Sequence, residues 1–109
     1  IERSRDVLYK LAKSKDLWAQ RTAIITCYYF IKRDDYVDIL ALAEQLLEHE
    51  HDLMHKAIGW MLREMGKRDQ PTELLFLDKH YSKMPRTMLR YAIEKFDEPL
   101  RQSYLKGTR

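Results

Sequence analysis

The stretch LMHKAIGWMLREMGK, residues 53–67, carries two faces at once. Lys56, Trp60, Arg63 and Lys67 follow one another at intervals of 4, 3 and 4 residues, and Ile58, Met61, Leu62 and Met65 fall between them. Side chains three or four apart share one side of an α-helix. The spacing therefore predicts a helix with a methionine- and leucine-rich face turned to a core and an opposite stripe of cations that contains a tryptophan. A strand would scatter both sets, because its side chains alternate with a period of two.

Outward from this helix, caps and prolines divide the chain into helices over 5–14, 17–33, 36–49, 53–67, 71–81, 85–96 and 99–106. Asp16, Asp35 and Asp52 stand as N-caps, and Pro71, Pro85 and Pro99 stand where a first helical residue tolerates a missing N–H. Three Gly and three Pro in 109 residues starve hairpin turns of their usual residues and favour an all-α chain. The linkers are short, so successive helices must fold back on one another as helical hairpins.

The hairpins repeat. Ala23-Ile24 recurs as Ala57-Ile58 and as Ala92-Ile93, at intervals of 34 and 35 residues. A base stands two residues before each alanine: Arg21, His55 and Arg90. A small residue followed by Ile at a fixed place suits helices that stack closely, since a bulky side chain would push neighbouring repeats apart. The period admits tetratricopeptide, HEAT and armadillo architectures, and the Trp, Leu-Gly, Tyr pattern of the first is absent. The expected fold is an α-α superhelix, a solenoid of HEAT-like two-helix repeats forming one domain over 1–109. The opening at Ile1 and the lone helix over 5–14, read as the second helix of a preceding repeat, predict the C-terminal half of a longer protein.

Several function classes drop out. No run reaches the roughly 18 apolar residues of a membrane span. Cys27 is the only cysteine, which excludes a disulfide framework or a thiolate metal cage and leaves it a packing role. No glycine-rich phosphate loop, Ser-His-Asp set or Cys-His pair is present, so no self-sufficient catalytic centre is expected. His49, His51 and His55, interleaved with acids, have the look of metal ligands but straddle a helix start where Asp52 is wanted as the cap, and no metal is expected. Glu64 has two readings, a general base or a salt-bridge partner of Arg63 and Arg68.

A net charge of +3 is too mild to name a polyanionic partner, so its distribution has to decide. The segments 16–33, 52–68 and 84–96 each sum to +2, whereas 34–50 holds six acids and no Lys or Arg. If all first helices line one side, that side is basic and the back acidic, the polarity of a surface that accepts phosphates; ordinary solvated charge is the alternative. Trp18, Arg21, Ile25, Tyr28 and Lys32 on the first long helix repeat the mixture of aromatic and cation found around Trp60. Such a mixture stacks on bases or sugars while binding phosphate. The competing reading of either tryptophan is packing between repeats.

The stretches DLWAQRTAII (16–25), HDLMHKAIGWMLRE (51–64) and MPRTMLRYAI (84–93) closely resemble the AlkD-like DNA alkylation repair glycosylases. That resemblance implies a HEAT-like solenoid that cradles duplex DNA containing alkylated bases and hydrolyses the N-glycosidic bond of N3- or N7-alkylated purines, in the cytoplasm and without a cofactor. By the same resemblance Trp60 matches the tryptophan that contacts the lesion-bearing strand, and Arg21 the arginine that grips a nearby phosphate. Arg63 is expected as a second phosphate ligand, and Lys56 and Arg90 lie where the repeat geometry continues the same surface; Trp18 joins the expected DNA-binding residues from the aromatic and cation spacing of its own helix. The Trp-Asp-x-Val-Asp-like motif with the family's catalytic aspartate does not occur here, so that residue is expected upstream and the isolated chain is expected to be inactive. A non-catalytic HEAT-like module that binds DNA structure or scaffolds a protein is the alternative. The sequence leaves the oligomeric state open.

Overall fold

The computed structural model describes residues 2–108 as helices and the turns between them, with no strand among the described residues. The helices are α1 (Glu2–Lys13), α2 (Leu17–Ile31), α3 (Val37–Gln45), α4 (Asp52–Arg68), α5 (Gln70–His80), α6 (Arg86–Ala92) and α7 (Glu98–Leu105). The all-α fold class is as expected. No helix among the described residues is long and apolar enough to cross a membrane.

Local chemistry sets the boundaries. Asp16 caps α2, its carboxylate accepting from the Trp18 N–H at 3.1 Å. At α4 the cap is His51 instead of Asp52: its Nδ1 accepts from the Leu53 N–H at 3.1 Å, and Asp52 becomes the first helical residue, where its charge suits the helix dipole. At α3, Tyr36 occupies the cap position and Asp35 accepts from the Val37 N–H at 3.3 Å. Pro71 and Pro99 lie in the first turns of α5 and α7, while Pro85 stands one residue before α6.

Three helices stop two or more residues earlier than their patterns predict. α2 ends at Ile31 because the Asp34 and Asp35 N–H groups bond back to the Ile31 and Phe30 carbonyls, a Schellman turn with Asp34 at φ 59°. Asp is one of the few residues besides Gly that tolerate this left-handed backbone. α3 and α6 unwind after Gln45 and Ala92, where the Leu47, His49, Glu94 and Phe96 N–H groups bond to carbonyls three residues back.

α4 lies between α2 and α6 and packs on both, α3 returns along α2 and α5 along α4. This is the stacked-hairpin order that the repeat predicts. Ala23, Ala57 and Ala92 and the isoleucines that follow them are all buried in the core. α4 and α6 come close at Gly59: a Cβ there would stand 2.6 Å from the Met88 carbonyl oxygen and from the Tyr91 Cβ, so the two helices touch where only glycine fits. α7 is tied down by Tyr104, which is buried, donates to Asp78 at 2.7 Å and meets the Tyr81 ring edge-on.

The acids of the α3 region do not form a free acidic back. Arg5 on α1 pairs with Asp35 and with Asp38, the latter at 2.9 Å, and its guanidinium lies 4.5 Å from the Phe30 ring centre. Asp38 is only 2% exposed and also accepts from the Tyr9 hydroxyl at 2.9 Å. Burial, then the Asp38 contact, pushes the Tyr9 phenol up to about 12. Asp34 takes Arg68 at 2.8 Å, and Glu44 takes His80 and Lys79 at 3.0 and 3.5 Å. These pairs tie each hairpin to its neighbour.

Candidate nucleic-acid interface

Because α2, α4 and α6 run side by side, residues far apart in sequence meet on one surface. Arg21 from α2, Lys56, Trp60 and Arg63 from α4, and Tyr91 from α6 line a depression of about 270 Å³. A second depression of about 500 Å³ adjoins it, sharing Arg63 and Tyr91 and adding Arg90, Glu94 and Arg101. The two form one groove that crosses the stack from α2 to α7.

Trp60 is half-buried. Its ring stands 6.4 Å from that of Tyr28 on α2, tilted by 37°, so one side leans on the core while the residue still lines the depression. Trp18 is 60% exposed at the start of α2, with the Arg21 guanidinium 5.9 Å from its ring centre. The aromatic stripes of α2 and α4 thus touch through Tyr28 and Trp60, and neither indole is sealed between repeats.

The cations are held differently. Arg21 has no ion-pair partner among the described residues, and its Nε is buried without a hydrogen bond. A buried donor left unpaired costs about 1–3 kcal/mol. Arg63 is bonded to Glu94 and lies 3.9 Å from Glu64, with its Nε also buried and without a hydrogen bond. Lys56 forms an exposed pair with Asp52 at 3.3 Å, and Arg90 has no acid partner among the described residues. Lys67, the last cation of the stripe, turns away to Glu64 at 3.0 Å. Glu64 is thus a salt-bridge partner, but of Lys67 and Arg63; Arg68 goes to Asp34 instead.

His55 departs from the repeat pattern of bases. Its ring bonds to the His49 carbonyl oxygen in the loop before α4, so it is not among the residues that line the groove. His49 accepts the His51 N–H at Nδ1, which leaves Nε2 protonated to donate to the Gln20 side-chain oxygen at 2.7 Å. Burial, then the neighbouring His55 and His51, lowers the His49 pKa. The three imidazoles therefore build a loop, and no group of metal-ligating side chains exists among the described residues. Cys27 is buried, and burial pushes its thiol up to about 12, which fits packing and not reactivity.

Three groove residues, and Glu73 beside them, escape the charge and spacing arguments. Tyr91 stands immediately before the small residue of its repeat, as Lys56 does in the previous one, so the register contained a signal for it. Arg101 and Glu94 had none, since they enter through the turn after α6 and through α7. Glu73 on α5 is only 1% exposed; burial drives its carboxyl up to about 9 even though Arg63 pulls the other way. One of its oxygens occupies the place where Gly66 would carry a Cβ and the other has no hydrogen bond, beneath a third depression of about 200 Å³ that Arg63, Lys67 and Lys95 also line.

No curated protein and no solved structure matches the chain. A family does: the sequence model of the DNA alkylation repair enzymes covers residues 2–96, taking in α1 to α6 and every residue of the first depression. That match covers most of the chain, and this chain belongs to the DNA alkylation repair enzyme family.

Proposed function

We propose that the protein is a DNA N-glycosylase for N3- or N7-alkylated purines and that this chain holds the damaged duplex on the groove crossing α2, α4 and α6. The observation that carries the reading is the first depression, where Arg21, Lys56 and Arg63 surround Trp60 and the Arg21 Nε lacks a partner. Arg21 and Arg63 bind phosphates on either side of the lesion, Lys56 and Arg90 extend the contact, and Trp18 and Trp60 offer ring faces to sugar and base.

An alkylated purine is already cationic and leaves readily, so the reaction has less need of a general acid than hydrolysis of a neutral leaving group. What must be stabilised is the oxocarbenium-like sugar. An indole face supports positive charge, and backbone binding fixes the geometry. A carboxylate beside the sugar completes the chemistry, and none lines the first depression. The chain alone is therefore the DNA-holding part of the machinery.

Two measurements test this. Labelled duplex titrated with the chain over a salt series should show affinity that falls steadily as salt rises, and Trp60→Ala should weaken it. Methylated DNA incubated with the chain should release no free 7-methylguanine, whereas the natural full-length protein should. Salt-independent or undetectable binding overturns the DNA-holding role. A full-length protein that binds duplex and releases no base leaves instead a non-catalytic module that recognises DNA structure, the reading favoured by the lack of a carboxylate lining the first depression.

A further inference from the structure

The second depression differs from the first in one respect: it contains an acid. Arg63 comes from α4, Arg90 and Tyr91 from α6 and Arg101 from α7, and all four line it together with Glu94 from the turn after α6. Among the described residues Arg101 has an exposed ion pair only with Glu98, at 3.1 Å within its own helix, and Arg90 has no acid partner. Glu94 bonds directly to Arg63, whose side chain is 18% exposed against 57% for the glutamate. A largely solvated carboxylate thus rests on a mostly buried guanidinium at the junction of the two depressions.

We infer that this depression is a second phosphodiester subsite, in which the Glu94 carboxylate occupies the phosphate position on Arg63 until DNA replaces it. The inference rests on the reading of the groove as a duplex-binding surface. Its physical basis is that carboxylate and phosphate present the same planar pair of acceptor oxygens to a guanidinium. The Arg63 side chain is mostly buried and lies 3.9 Å from Glu64, whereas Glu94 is exposed, so exchange of Glu94 for phosphate needs only the rotation of an exposed side chain. Arg90 and Arg101 then supply charge for the next phosphate along the strand, and Tyr91 a ring between the two subsites.

The exchange predicts an unusual sign. Glu94→Gln removes the competitor and should tighten duplex binding roughly two- to fivefold near 0.1 M salt, the scale of an exposed ion pair. It should also steepen the dependence of log affinity on log salt by up to about 0.9, because phosphate binding no longer frees a carboxylate that recruits a cation. In an Arg63→Ala background the same substitution should do nothing. Arg101→Gln should weaken binding about threefold and flatten the slope. Both positions are on the surface, and an unchanged thermal midpoint shows that the variants are folded.

Unchanged or weaker binding by Glu94→Gln overturns the inference, and so does a gain that persists with Arg63→Ala, which would mean a general charge effect. If the unsubstituted chain binds duplex and Trp60→Ala weakens it while the Glu94 and Arg101 variants behave like the parent, only this inference fails. If the unsubstituted chain does not bind, the duplex-holding role fails and takes the inference with it.

Discussion

Arg5 and Arg21 are the same residue type, each lies on a helix of the same stack, and they do opposite things. Arg5 meets Asp35, Asp38 and the Phe30 ring, and every one of those partners belongs to a neighbouring hairpin. Arg21 lies 5.9 Å from the Trp18 ring centre, has no ion-pair partner among the described residues and keeps a buried Nε without a bond. The difference teaches that a charge count cannot separate structure from function in this chain. What separates them is whether an acid from the adjacent repeat reaches the cation. On the α3 side the acids do reach, and the pairs staple repeats together. Along the groove Arg21 and Arg90 are left without an acid, and Arg63 is covered by one exposed carboxylate.

The largest effect should come from breaking the staple. Arg5→Ala leaves Asp38 buried with only the Tyr9 hydroxyl, and loss of one partner from a buried pair costs about 3–5 kcal/mol. Denaturant unfolding should show that loss, and duplex affinity measured under folding conditions should stay near the parent value. A stable Arg5→Ala chain would mean that the α1–α3 pairs are decoration and that the contrast with Arg21 is empty.

Glu73→Gln tests the ground under Arg63. The folded carboxyl holds its proton up to about pH 9, against an ordinary value of 4.5, so the unfolded chain releases a proton that the folded chain keeps. For a folded pKa raised in this way, stability is greatest below about 4.5 and declines as pH rises toward 9. The amide has no proton to lose, so Glu73→Gln should flatten that decline and gain roughly 3 kcal/mol at pH 7, at 1.36 kcal/mol per unit. Unfolding measured at pH 5, 7 and 9 gives the answer; parallel curves for the two proteins would show that Glu73 is ionised in the fold.

Arg21→Ala should invert the Arg5 result. Thermal stability should hold or rise slightly, because a buried donor without a bond is removed, while duplex affinity falls about tenfold and the salt slope flattens by about 0.9. A destabilised variant with unchanged affinity would make Arg21 a packing residue. Smallest of all, Lys79→Ala removes an exposed contact to Glu44 and should leave both the thermal midpoint and duplex binding at parent values. A clear loss there would show that even the exposed cross-repeat pairs act as staples.

The sequence by itself determined the helices, their pairing into hairpins and the core residues of each repeat, because a 3.6-residue apolar pattern and a repeat of 34 to 35 residues survive without knowledge of any neighbour. It also determined which helix face carries Lys56, Trp60 and Arg63, since one helix's geometry suffices. It did not reach the partners. That His55 turns to the carbonyl of His49 and Lys67 to Glu64 are choices among local partners, whereas the close approach at Gly59 and the meeting of Glu94 and Tyr91 with Arg63 at one groove depend on contacts between residues about 30 apart in the chain. Such contacts have no local signature: the packing of α6 and the turn after it against α4 brings those atoms together, and only that packing decides which cations are left without an acid.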